Sequence, residues 1–174
     1  LHFSVLKTVL DNLIHRLEVA PMIVALTQSR QRLRDYAAHV DHSRFLAEEL
    51  VPALETRYPL QKGAASRGLM GASFGGVAAL AAATHYPGQF GRLLLQSGSF
   101  AFTDIGPGRR GPAFAPVGEF VNGFRDAPTR ISERVFVSCG VYESLIYENR
   151  SLVPILQSTG MDVRYVEAFD GHNW

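Results

Sequence analysis

The chain has 174 residues, of which 47% are hydrophobic and 19% charged, and its formal net charge is +1. This apolar content excludes a disordered chain, and the length fits one globular domain with its own core. The charge balance does not favour nucleic acid as a partner, and no apolar run reaches the roughly 20 residues that span a bilayer. Cys139 is the one cysteine, so no internal disulfide is expected.

The first part of the chain alternates helix and strand signals. Residues 5–17 carry apolar side chains at helical spacing, which predicts an amphipathic helix. Residues 22–26 are continuously apolar, which is typical of a strand buried on both faces of a parallel sheet. A further helix is predicted from about residue 45 to residue 58, with Asp41 or Ser43 as its N-cap.

The second part continues the alternation. Its predicted elements are a short strand ending at Met70, a helix to about Tyr86, strands at 93–97, 134–140 and 162–169, and a helix at 143–157. Residues 100–133 are an insertion rich in Gly, Pro and Phe, with a short helix expected at 117–124. This order predicts an α/β fold, a mostly parallel sheet with helices on both faces, as a single domain over residues 1–174.

Residues 71–75 read Gly-Ala-Ser-Phe-Gly and match the G-x-S-x-G pattern of a nucleophile elbow. In that turn a serine sits between a strand and a helix, and side chains at the two glycine positions would collide with the neighbouring elements. The apolar stretches on either side, Leu69-Met70 and residues 76–83, fit a strand and a helix. The pattern predicts Ser73 as a nucleophile and the backbone N–H of Phe74 as an oxyanion donor.

A serine nucleophile needs a base, and the base needs a carboxylate to orient it. In α/β-hydrolases the chain order is serine, acid, histidine. His172 is the histidine that follows the last predicted strand, and Glu143 is the first carboxylate after the strand at 134–140, with Glu148 one helical turn further on. Glu143 is also readable as a first-turn carboxylate at a helix N-terminus. Ligands bind at the carboxyl ends of parallel strands, so these groups are expected at one sheet edge.

A second oxyanion donor normally comes from the loop after the third strand of this fold. That strand would lie between residues 22–26 and the elbow strand, and an empty position there would leave backbone groups unpaired. We therefore expect the chain to be an internal piece of a longer domain. The missing strand and the second donor are expected upstream of Leu1, and a closing helix after His172.

Several motifs together resemble the putative esterase family of α/β-hydrolases, in particular its enterochelin (ferric siderophore) esterase type. They are FLAEELVP at 45–52, GASFGG at 71–76, YPGQF at 86–90, QSGS at 96–99 and DGHNW at 170–174. The resemblance implies Ser73 as nucleophile, His172 as base and Glu143 as acid. The same family includes feruloyl and acetylxylan esterases and mycolyltransferases, so membership implies ester chemistry without defining the ester.

The leading hypothesis is a serine carboxylic-ester hydrolase that forms an acyl-enzyme on a small ester, of siderophore type or another, without metal or cofactor. Acyl transfer of the mycolyltransferase type is the alternative, because the same three residues serve both reactions. A non-catalytic binding domain that keeps the fold is a third hypothesis. The absence of a signal peptide at Leu1 favours a cytoplasmic location, and the sequence does not indicate an oligomeric state.

Three further residues are candidates for binding substrate. Arg34 lies in a polar, arginine-rich loop at 27–39, which is either solvated or at the mouth of the site. Phe100 belongs to the insertion, whose phenylalanines either line an acyl pocket or pack the insertion onto the sheet. Tyr142 stands next to Glu143. The insertion is where substrate choice is expected to be made.

Overall fold

The computed structural model describes residues 5–106 and 110–172. The helices are α1 (Leu6–His15), α2 (Arg32–Asp35), α3 (Val40–Arg44), α4 (Val51–Arg57), α5 (Phe74–His85), α6 (Ala115–Asp126) and α7 (Ile146–Ser158). The strands are β1 (Gly68–Ala72), β2 (Arg92–Gln96), β3 (Arg134–Gly140) and β4 (Asp162–Ala168). A π-helical stretch, Phe45–Leu50, joins α3 to α4, and 3₁₀ turns occupy Ala64–Ser66 and Pro112–Phe114.

The four strands form one parallel sheet in the order β1-β2-β3-β4. Because every pair is parallel, all four carboxyl ends lie at the same edge. Each strand pairs with the next one along the chain, as consecutive strands commonly do. The predicted parallel sheet is therefore present, and its carboxyl edge is the place where residues following different strands meet.

One face of the sheet carries the core. Alternate residues of β2 and β3 point into it, and Leu95 and Val137, which are in register, are fully buried. Leu80 of α5 and Leu156 of α7 belong to the same buried cluster. The middle of α5 is almost uniformly apolar because this helix is covered from two sides, by the sheet and by α3.

The other face is less covered. Met70, Leu94 and Phe136 are aligned across three strands on this face. Met70 is 59% exposed, and the guanidinium of Arg164 lies 5.8 Å from the centroid of the Phe136 ring. The described residues thus place α5 and α7 over one face, whereas helices were predicted over both.

Residues 22–26 do not form the predicted strand. They have no regular secondary structure, and Met22 and Leu26 are 49% and 56% exposed. An apolar run becomes a strand only when its backbone groups find a partner, and within the described residues β1 pairs with β2 alone. The prediction of this strand was wrong for that reason.

Two further local predictions need correction, an N-cap and a loop. The N-cap of α3 is His39, whose imidazole accepts a hydrogen bond from the backbone N–H of Asp41, so neither Asp41 nor Ser43 caps this helix. Residues 27–39 were predicted as a loop, but they contain the short helix α2. In the insertion, the expected helix is present as α6, while residues 107–109 lie outside the described residues.

Across the described residues, none of the helices combines the length and the hydropathy needed to cross a bilayer.

Candidate active site

Ser73 occupies a strained turn between β1 and α5. Its backbone has φ 56° and ψ −124°, a region that residues with a side chain rarely adopt. The turn is tight enough that a Cβ on Gly71 would lie 2.0 Å from the carbonyl oxygen of Gly75. The first glycine of the motif is therefore required by close backbone contact, and the turn presents Ser73 at the carboxyl edge of the sheet.

His172 reaches Ser73 from the segment that follows β4. Its Nε2 lies 3.3 Å from Ser73 Oγ, and its Nδ1 lies 2.6 Å from Glu143 Oε2. The His172 side chain is 41% exposed, whereas that of Glu143 is 1% exposed. The structure thus brings together three residues, of which the outer two, Ser73 and His172, are 99 positions apart along the chain.

Glu143 lies just beyond β3 with a fully hydrogen-bonded carboxylate. Oε1 accepts hydrogen bonds from the Ser97 hydroxyl at 2.6 Å and from the Gly140 N–H at 2.8 Å. Oε2 faces His172. These donors offset the cost of burying the charge. The alternative acid, Glu148, is fully buried and pairs with Arg110.

A glycine at the end of β3 lets the segment bearing His172 approach. A Cβ on Gly140 would lie 2.3 Å from the backbone oxygen of Asp170 and 2.9 Å from Glu143 Oε1. The same Asp170 oxygen accepts a hydrogen bond from the Tyr142 N–H at 3.2 Å. The backbone at Gly140 therefore sets how close His172 and Glu143 come to each other.

The segment 97–99, which follows β2, contacts both ends of this arrangement. Ser97 bonds to Glu143, and Ser99 Oγ lies 3.1 Å from Ser73 Oγ. Asn149 of α7 holds Gly98, accepting from its N–H at 3.2 Å and donating to its carbonyl at 2.9 Å. Ser97 and Ser99 entered the sequence prediction only as part of the QSGS motif. The available signal was their position after a strand at the same edge.

The predicted substrate-binding residues have different surroundings. Phe100 is fully buried in the core, which favours the alternative that it packs the insertion onto the sheet, and its contact with substrate stays a prediction. Tyr142 is 74% exposed beside Glu143. Arg34 is exposed, and its guanidinium contacts Gln31 and His39. Whether Arg34 or Tyr142 binds substrate stays a prediction, as does the role of the Phe74 N–H at the start of α5.

The part of the chain that the structure describes contains no cluster of three or more His, Cys, Asp or Glu side chains that could hold a metal ion. His39 caps α3, and His42 packs against the ring of Tyr36 with centroids 4.9 Å apart. His39 and His42 are thus engaged in separate contacts.

Cys139 lies inside β3, next to Glu143. Burial, reinforced by the negative charge of Glu143, raises the pKa of its thiol to about 12. A thiol with this pKa is protonated at neutral pH and is a poor nucleophile. These surroundings favour a structural role for Cys139 in the strand.

A parallel sheet with a serine on a strained strand-to-helix turn, and with a carboxylate and a histidine after later strands, defines the α/β-hydrolase class. A sequence profile of the family described as "Putative esterase" matches residues 21–170. The chain belongs to this esterase family.

Similar proteins agree with this assignment. The iron(III) enterobactin esterase of Escherichia coli O6:H1 is 27% identical over 168 residues, which are 94% of this chain and 40% of that protein. The K12 strain's enzyme of the same name is 33% identical over 95 residues, 53% of this chain and 24% of that protein. The chain therefore spans at most two fifths of the length of these curated relatives.

Solved structures share the fold. A crystal structure of the enterobactin esterase from Shigella flexneri superimposes with a TM-score of 0.77 at 24% identity, covering 95% of this chain and 43% of that one. A ferulic acid esterase superimposes with a TM-score of 0.72 at 18% identity, covering 97% of this chain and 70% of that one. These likenesses support the α/β-hydrolase fold.

Proposed function

We propose that the chain carries the catalytic residues of a serine carboxylic-ester hydrolase that works through an acyl-enzyme. The observation that carries the proposal is the continuous line of contacts from Glu143 through His172 to Ser73. Membership of the esterase family and the order Ser, Glu, His along the chain support it.

In the acylation step, His172 carries a proton on Nδ1, and this N–H donates a hydrogen bond to Glu143 Oε2, which leaves Nε2 free to act as base. The Ser73 hydroxyl gives its proton to Nε2 while Oγ attacks the ester carbonyl. The separation of 3.3 Å between these atoms is within reach of such a transfer, since catalytic hydrogen bonds tighten when substrate binds. Glu143 balances the charge of the imidazolium from a buried position.

The carbonyl oxygen becomes an oxyanion near the N-terminus of α5, where the Phe74 N–H donates to it. His172 then gives its proton to the leaving alcohol, and the C–O bond of the ester breaks. In deacylation, water gives a proton to Nε2 and attacks the acyl carbon. Ser73 leaves as the alcohol after receiving that proton, and the carboxylic acid is released.

The substrate class to test first is suggested by the names of the relatives. The E. coli relatives are named iron(III) enterobactin esterases. In this chain the Phe74 ring meets Phe114 edge-on at 5.0 Å between centroids, and the Arg110 guanidinium lies 5.0 Å from the centroid of the Phe114 ring. These groups are engaged with one another, since Phe74 is buried and Arg110 pairs with Glu148, so the choice of substrate class rests on the relatives. A siderophore-type ester is therefore the first class to test.

The test is turnover of p-nitrophenyl acetate by the full chain and by Ser73→Ala, followed by a feruloyl ester and a catecholate siderophore. Loss of the nucleophile is expected to lower kcat by at least about a thousandfold. A fluorophosphonate should add its phosphonyl group to Ser73, as detected by peptide mass, and should not label Ser73→Ala.

Circular dichroism and urea unfolding establish that Ser73→Ala is folded. Turnover retained in that variant, or phosphonyl label on another residue, would refute the proposal. Products formed with added alcohol distinguish hydrolysis from acyl transfer, since a transesterified product identifies a transferase.

A further inference from the structure

We propose that Ser97 is a positioning residue for the catalytic acid, holding Glu143 in the orientation that faces His172. The inference rests on the proposed function and extends it to a residue outside the Ser73, His172 and Glu143 group. It explains why a buried serine directly after β2 has an unusual backbone conformation.

The backbone of Ser97 is the first observation. Its φ is 47°, one of four positive values at non-glycine residues among those described. Its N–H donates to the Ser138 carbonyl at 2.7 Å, so the strained residue is tied to β3. A non-glycine residue keeps such a conformation only where its surroundings enforce it, and these positions concentrate at functional sites.

The direction of the side chain is the second observation. Ser97 is 3% exposed, and its hydroxyl donates to Glu143 Oε1 at 2.6 Å. The turn at Ser97 therefore points its hydroxyl at the carboxylate. A hydrogen bond to a charged, buried acceptor is among the stronger ones in proteins.

The effect on Glu143 follows from the arrangement of donors. Two donors, the Ser97 hydroxyl and the Gly140 N–H, engage Oε1, while Oε2 lies 2.6 Å from His172 Nδ1. The carboxyl torsion of a glutamate is broad when free. Donors from two neighbouring strands restrict that rotation, so Oε2 remains directed at the imidazole before substrate arrives.

The segment 97–99 is itself held rigidly. Asn149 bonds to both backbone groups of Gly98, and a Cβ on Gly98 would lie 2.0 Å from the Phe100 ring. Because Phe100 is a core residue, the segment is anchored to the core on one side and to Glu143 on the other. A fixed donor is what a positioning role requires.

The test compares Ser97→Ala and Ser97→Gly with Ser132→Ala as matched control. Ser132 is also buried, at 7% exposure, but its hydroxyl has no hydrogen-bond partner among the described residues, and it lies just before β3, at the amino end of that strand. Turnover of p-nitrophenyl acetate and the rate of Ser73 phosphonylation are measured for each full-chain variant. We expect both Ser97 variants to lose about tenfold or more in kcat and in labelling rate, with KM little changed, and Ser132→Ala to retain both.

The glycine variant separates positioning from strain. It removes the hydroxyl but accepts the positive φ, so urea unfolding should find it at least as stable as Ser97→Ala. A double-mutant comparison with Glu143→Ala tests whether Ser97 acts through Glu143. If Ser97 acts through Glu143, adding Ser97→Ala to Glu143→Ala should cost almost nothing further, because coupled residues are not additive.

Wild-type kcat in Ser97→Gly would overturn the inference, as would an undiminished effect of Ser97→Ala in the Glu143→Ala background. An equal loss in Ser132→Ala would also overturn it, by attributing the effect to general destabilisation. In each of these cases Ser73→Ala remains inactive and unlabelled. Activity or labelling in Ser73→Ala instead refutes the proposed function, and the inference falls with it.

Discussion

Replacing Ser73 by glycine is expected to stabilise the protein relative to replacing it by alanine, although both variants lack the nucleophile. Both lose the contacts of the hydroxyl with His172 and Ser99. They differ in the Cβ, which alanine keeps at φ 56° and ψ −124° and glycine removes. The comparison therefore isolates the backbone strain of the turn from the chemistry of the side chain.

The size of the difference follows from two opposing terms. A non-glycine residue in such a region costs about 1–3 kcal/mol. Glycine loses more backbone entropy on folding, which costs about 0.5–1 kcal/mol relative to alanine. The balance favours Ser73→Gly by about 1 kcal/mol, which corresponds to about 2–4 °C in Tm for a domain of this size.

Urea unfolding of the two full-chain variants, followed by circular dichroism, measures this difference. Ala53→Gly in α4 is the control, since Ala53 is an exposed residue inside a helix. There the same loss of a Cβ should destabilise by about 1 kcal/mol. If Ser73→Gly is equally or less stable than Ser73→Ala, the backbone at Ser73 is not strained.

Two further predictions concern the surroundings of the site. Gly71→Ala should destabilise by about 3 kcal/mol or more and remove esterase activity, because its Cβ would lie 2.0 Å from the Gly75 backbone oxygen; urea unfolding measures this, and a stable, active variant contradicts it. The Cys139 thiol, whose pKa burial raises to about 12, should react with iodoacetamide at pH 8 only after unfolding in urea. Labelling of the native protein as fast as of the unfolded one would show that the thiol is accessible.

Much of the fold was predictable because its signals are local. The strand at 134–140 was predicted with the bounds that β3 has, and the helix following Ser73 ends within a residue of the expected place. An apolar run between turn residues carries enough information to locate such elements. Residues 22–26 have the same local signal and form no strand, because a strand also requires a neighbour to pair with.

The candidate site was predictable as a set of positions at one edge. Ser73, Glu143 and His172 were chosen because each follows a predicted strand, and parallel strands end together. The structure places their side chains in contact, while their catalytic roles stay predictions. The sequence left Glu148 as an alternative to Glu143. In the structure Glu143 faces His172, whereas Glu148 is fully buried and pairs with Arg110.

The sequence by itself determined the elbow, since the need for glycine at position 71 is a matter of atoms four residues apart. Only the tertiary structure decided which side chains surround it. The bond from Ser97 to Glu143 joins residues 46 positions apart, and the burial of Phe100 depends on the packing of several elements. Local patterns encode backbone geometry, whereas hydrogen-bond partners across a sheet edge are set by how strands and helices pack together.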